Sequence, residues 1–293
     1  MMLLREFGTT GLQTSAIGYG AGAIGATEVS EDQAEAVLNG ALDLGINLID
    51  TARGYGLSEE RIGKYISHRR EDYVLSTKVG YGVEGHQDWT YSCIVAGVER
   101  ALTLMKTDVL DIVHLHSCPA AVLKDGSVID ALDELKHQQK IRVKAYSGEN
   151  DDLSFAVHLN RFDSIMASLN FCDQRIIDNQ LPRAKERGMG MIAKRPIANA
   201  PWRFSERPTG HYAEAYWARM HAMAIDFGMS ELEMAIRFSV FTYGVDTAII
   251  GSINLEHIAA NIGQVNAGPL EQELLTTIRG RFQACDQNWQ GQL

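Results

Sequence analysis

The 293-residue chain has little from which to build a disulfide framework, a membrane anchor or a basic surface. Its four cysteines, Cys93, Cys118, Cys172 and Cys285, are widely spaced and form no C-x-x-C pair, so they read as reduced, mostly structural thiols. No apolar stretch is long enough to span a bilayer, and MMLLREFGTTGLQ lacks the apolar core of a signal peptide; a cytoplasmic protein is expected. With 27 Lys and Arg against 37 Asp and Glu, the formal charge of −10 makes nucleic acid and anionic membranes poor partners. Small molecules or a second copy remain, and monomer and homodimer both fit. No Pro- or Ser-rich linker and no charge run divides the chain, so residues 1–293 read as one domain; no metal site is expected.

What is present is an alternation. Short apolar runs recur at 15–19, 46–50, 73–78, 109–116, 141–147, 162–168, 190–195 and 247–252, with helical patterns such as YSCIVAGVERALTLMK and ELEMAIRFSVFTYG between them. Eight strands alternating with helices over about 250 residues predict an α/β fold of the closed (β/α)8 TIM barrel type, with an open doubly wound sheet as the alternative. The turn-rich LREFGTTGLQTS predicts an N-terminal β-hairpin, and LEQELLTTIRGRFQACDQ an extra C-terminal helix.

GAGAIG, at residues 20–25, matches the G-x-G-x-x-G dinucleotide pattern, and Asp50 follows 25 residues after its last glycine. That motif requires a helix beginning within the glycines. Here ATEV intervenes, and Ser30 with Gln33 forms a capping box for a helix that starts only afterwards. The match therefore reads as coincidental.

Catalytic groups of such barrels sit at the C-terminal strand ends. Three consecutive runs end in Asp50, Lys78 and His116, and Tyr55 lies in the loop after the first. Singly, each has a structural explanation as a cap, a surface lysine, a core histidine or a loop aromatic. Jointly they do not, because packing favours Val, Ile and Leu at these positions. A phenol, with a pKa near 10, is a reluctant acid at neutral pH, but a neighbouring ammonium favours its anion. Lys78 would make Tyr55 a usable general acid, Asp50 would keep Lys78 charged, and His116 would orient a carbonyl oxygen. The set suits carbonyl reduction, with hydride from a cofactor. His114, one layer deeper, reads as a packed core histidine.

The motifs IDTARGYGLSEERIG, LSTK and LDIVHLH, in this order and spacing, resemble the aldo-keto reductases over nearly the whole chain. The resemblance implies a barrel with an N-terminal hairpin, a nicotinamide cofactor bound without a Rossmann domain, and the tetrad Asp50, Tyr55, Lys78 and His116. It assigns cofactor contacts to Ser147, Met166, Lys194, Arg195, Pro196, Ile197, Gly251, Ser252 and Asn261. Four of these points depart from the family pattern. Gly148 follows Ser147 where an Asn is usual, Met166 replaces a Gln, Lys194 stands where an aromatic stacks on the nicotinamide, and Gly251 and His257 replace basic residues that meet a 2′-phosphate. NADP(H) is favoured, with NAD(H) as the alternative. Gly22, Tyr81, His86 and Trp89 are placed around the substrate, and residues 198–217 as a lid. The expected activity is reduction of aldehydes or ketones, or the reverse reaction on alcohols. One rival is a nucleotide-binding regulatory protein without turnover; another is a Schiff-base enzyme using Lys78.

Overall fold

The computed structural model describes residues 2–226 and 228–292. Strands β1 (Leu4–Glu6) and β2 (Gln13–Ser15) pair antiparallel as the expected hairpin. Eight parallel strands then close into one barrel: β3 (Ile17–Gly20), β4 (Leu48–Asp50), β5 (Val74–Val79), β6 (Leu110–His116), β7 (Ile141–Ser147), β8 (Ser164–Ser168), β9 (Gly190–Lys194) and β10 (Thr247–Ile250). They run in sequence order around the barrel, and β10 pairs with β3 to complete it. Each coincides with one of the eight predicted runs, and the open-sheet alternative is excluded.

The strands read as almost continuous apolar runs because both faces are covered, by helices outside and side chains within. Phe7, in the hairpin turn, has no exposed surface and packs inside the barrel with Leu48, Val74, Ile112, Val143, Met166 and Ile192. Full burial of such a ring stabilises by about 1.5–3 kcal/mol. Thr9 N–H donates to the Gly188 carbonyl at 2.8 Å and Gly8 N–H to Asp246 Oδ2 at 3.1 Å, which fixes the hairpin across the N-terminal end of the barrel.

Around the barrel lie α1 (Glu31–Asp43), α2 (Ser58–Tyr65), α3 (Tyr91–Met105), α4 (Ala120–Asp125), α5 (Ser127–His137), α6 (Asn150–Leu159), α7 (Arg175–Asp178), α8 (Gln180–Glu186), α9 (Glu214–Met223), α10 (Glu231–Phe241), α11 (Leu255–Asn266) and α12 (Gln272–Cys285). The last is the expected extra helix. α1 begins six residues after Gly25, so the glycine motif opens no α-helix and holds only the short 3-10 turn Ala23–Gly25. Ser30 Oγ accepts the Gln33 N–H at 3.2 Å, but the Gln33 side chain turns to the Ile253 carbonyl, leaving the capping box half made. All four cysteines are free thiols, three of them buried. Among the described residues no helix is long and apolar enough to cross a membrane.

Candidate active site

The tetrad predicted from sequence converges at the C-terminal mouth of the barrel. Lys78 Nζ donates to Asp50 Oδ2 at 2.6 Å and to the Thr51 carbonyl at 2.7 Å, and both charged side chains are only 2% exposed. Asp50 Oδ1 accepts from Ser76 Oγ at 2.8 Å, which in turn lies 3.2 Å from His114 Nε2. Burial alone would push the Lys78 pKa down, but Asp50 and Tyr55 outweigh it and the net shift is upward, so the ammonium is retained. Lys78 Nζ sits 4.8 Å from the centre of the partly exposed Tyr55 ring, whose edge meets the His116 ring at 6.1 Å. Burial, with Lys78 and Lys194 nearby, holds His116 down at about 3, so it is neutral at physiological pH. His114 is fully buried and is pushed well below its ordinary range by the same burial and charges, as a core histidine should be.

The rest of the TARGYGLSEERIG segment builds the loop that carries Tyr55. Thr51 Oγ1 donates to Ser58 Oγ and Ser58 Oγ to the Ala21 carbonyl, both at 2.8 Å. Arg61 donates to the carbonyls of Ile24, Ala26 and Val29 at 2.6–2.9 Å and pairs with Glu31. These bonds tie the loop after β4 to the loop after β3. At the seam, Leu57 N–H meets the Gly25 carbonyl at 3.0 Å, and a Cβ on Gly25 would fall 1.8 Å from the Tyr55 carbonyl oxygen. The last glycine of GAGAIG is thus a close-approach position against the Tyr55 loop.

A second charged cluster adjoins the first and was not anticipated. Glu149, just past β7, lies 3.0 Å from Lys194 Nζ and 3.8 Å from Arg195 Nη1, and accepts from both the N–H and the Oγ of Ser168 at 2.8 Å. Lys194 is lowered, burial exceeding the support from Glu149. Arg195, in a left-handed conformation at φ 56°, also bonds Tyr212 and the Gln292 carbonyl. Beyond it Asp173, beside Tyr216 and Arg219, is raised to about 7 by burial and by Glu149. The available signal was an acid two residues past one strand and a Lys-Arg pair at the end of the next strand but one.

A family model described as the Aldo/keto reductase family matches residues 16–281. The chain belongs to that family. As an aldo-keto reductase it is an oxidoreductase that acts on a small molecule with a nicotinamide cofactor. It is 28% identical to the L-galactose dehydrogenase of Arabidopsis thaliana over 94% of this chain and 92% of the relative. It is also 28% identical to an uncharacterized oxidoreductase of Bacillus subtilis, over 95% of this chain and 96% of the relative. Among solved structures, a holo aldo-keto reductase from Bacillus halodurans superimposes with a TM-score of 0.82 at 28% identity, covering 96% of each chain.

The expected cofactor positions of this reductase fall into three groups. Ser147, at the end of β7, is 1% exposed and its Oγ has no partner among the described residues, which suits a hydrogen bond to a bound amide. Lys194 and Arg195 are engaged by Glu149, Ser168 and Tyr212; Pro196 accepts from Ser239 Oγ at 2.9 Å, with Ile197 beside it in the turn. Gly251 and Ser252 lie past β10, where the Ser252 carbonyl accepts from Tyr19, and Asn261 is buried on α11. Met166 has no exposed surface and belongs to the packed interior with Phe7, in register with Ser147 on β7. The two-residue strand period puts Ser168 next along the inward face.

Of the expected substrate residues, a Cβ on Gly22 would lie 3.6 Å from the Tyr55 ring. Tyr81 bonds His116 Nδ1 at 2.9 Å, and Trp89 packs 5.9 Å from Tyr81. His86 is exposed in the loop, and among the described residues no hydrogen bond or ring contact ties its side chain to these groups. In the segment expected as a lid, Tyr212 reaches Arg195 and Trp217 Nε1 donates to the Phe204 carbonyl at 3.0 Å.

Proposed function

We propose that this reductase converts aldehydes or ketones to alcohols with NAD(P)H, Tyr55 acting as the general acid. The observation that carries the reading is the buried Asp50–Lys78 pair beneath the partly exposed Tyr55 ring, with neutral His116 at its edge. The cofactor, when bound, supplies a hydride to the carbonyl carbon. Tyr55 gives its proton to the carbonyl oxygen, and the Lys78 ammonium stabilises the anion left on the phenol. His116 donates to the same oxygen, and Tyr55 regains a proton from solvent on its exposed side. Ser147 would hold the carboxamide, Gly251 and Ser252 the adenosine end, and Arg195 the phosphates. NADP(H) is the favoured form.

The similarity to an L-galactose dehydrogenase supports aldoses, oxidised in the reverse direction, as one substrate class. A Schiff-base role for Lys78 needs a depressed pKa, whereas its shift is upward. The decisive test is turnover of an aldehyde and aldose panel with NADPH and with NADH, by wild type and Tyr55→Phe. A loss of roughly a hundred- to ten-thousandfold in kcat with nucleotide binding unchanged is expected. Full activity in the variant would sink the assignment, and nucleotide binding without turnover on any substrate would favour a regulatory role.

A further inference from the structure

A neutral imidazole carries one proton, and only the nitrogen that holds it can donate. The proposed role of His116 therefore requires a specific tautomer, and the residues of the barrel itself do not supply it. His116 lies at the end of β6 with Lys78 and Lys194 among the charges that act on it, and neither ammonium can accept its proton. Its only hydrogen-bond partner among the described residues is Tyr81, whose hydroxyl is 2.9 Å from Nδ1. The two rings also stack, with centroids 5.6 Å apart and planes at 27°.

We propose that Tyr81 is a positioning residue that locks His116 as the Nε2–H tautomer, so that Nε2 becomes the donor to the substrate oxygen. The bond runs from phenol to imidazole because a phenol O–H is a much stronger acid than a neutral imidazole N–H, and an imidazole nitrogen a stronger base than a phenol oxygen. With Nδ1 accepting from Tyr81, the proton must reside on Nε2, which has no partner among the described residues and is free to bond a ligand. Tyr81 is itself held in place. Trp89 packs against it, and Trp89 N–H returns to the Gly80 carbonyl at 2.8 Å. The loop after β5 thereby sets the protonation pattern of a side chain on β6.

The catalytic consequence rests on the reductase reading, but the tautomer does not, and the test separates the two. Uniformly 15N-labelled wild type and Tyr81→Phe are compared by long-range 1H–15N correlation at pH 7, with His116 assigned by its absence in His116→Asn. Wild type should show Nδ1 unprotonated and Nε2 protonated, and Tyr81→Phe should show a mixture or the reverse. In turnover, Tyr81→Phe should lower kcat by about tenfold, the worth of one good hydrogen bond, with cofactor KM unchanged. Wild type with the proton on Nδ1 overturns the proposal, as does a Tyr81→Phe spectrum identical to wild type. If no carbonyl is turned over at all, the spectra still decide the tautomer while the reductase reading fails on its own.

Discussion

Deleting the carboxylate of Asp50 should damage the fold more than the catalytic count of residues suggests. Asp50 and Lys78 are 2.6 Å apart with side chains 2% exposed. At an effective dielectric near 20, unit charges at that distance attract by about 6 kcal/mol, largely offset by the cost of desolvating both. Asp50→Ala removes the attraction and leaves the desolvation of the ammonium, so a loss of about 3–5 kcal/mol is expected, or roughly 10 °C in Tm. Thr51 still accepts one Lys78 proton, which places the expectation at the lower end. Removing both charges, in Asp50→Ala/Lys78→Met, should recover most of the stability while activity stays abolished. Urea unfolding followed by tryptophan fluorescence measures Asp50→Ala, Lys78→Met and the double mutant. A single-mutant loss below about 1 kcal/mol, or a double mutant as unstable as the sum of its parts, would refute the argument.

Acid should weaken the fold through His116, whose native pKa of about 3 lies below the ordinary 6.5. Between those values the unfolded chain binds a proton that the native protein does not, so stability falls as pH is lowered, by up to roughly 4–5 kcal/mol from this residue, and His116→Asn should remove that share of the slope while the share of buried His114 remains. Asp173 acts oppositely: its native pKa of about 7 lies above 3.8, so its contribution is lost as pH rises through this range. Asp173→Asn should therefore gain on wild type between pH 4 and 7, by at most about 4 kcal/mol in paired urea titrations. Gly25→Ala places a methyl carbon 1.8 Å from the Tyr55 carbonyl oxygen. A cost of about 1–3 kcal/mol with disproportionate loss of kcat is expected, and a variant with normal turnover would show that the loop seam does not position Tyr55.

The alternation of eight apolar runs was legible because parallel barrel strands are buried on both faces and cannot be mistaken for amphipathic segments. The tetrad was legible because polar strand ends conflict with packing there. Glu149 was not, since an acid after a strand has no meaning until β9 brings Lys194 within 3.0 Å of it. The full burial of Met166 was not legible either, for a related reason. Strand period fixes which face a residue takes but not its depth, and depth depends on the shear of the closed sheet and on Phe7 filling the far end. Tyr81 was placed in the right loop, yet its bond to His116 depends on a loop conformation in which Trp89 adopts φ 60°, which no pattern encodes.

The hairpin across the bottom of the barrel makes the interior a cul-de-sac. With Phe7 and its neighbours filling the far end, whatever reaches Lys78 must come and go by the one mouth that also carries Tyr55 and Lys194. In the proposed reaction cofactor and substrate share that doorway, and the partner seated deeper is expected to arrive first and depart last. Traffic order in this enzyme is then a property of its plugged end, and product-inhibition patterns should be those of an ordered sequential mechanism.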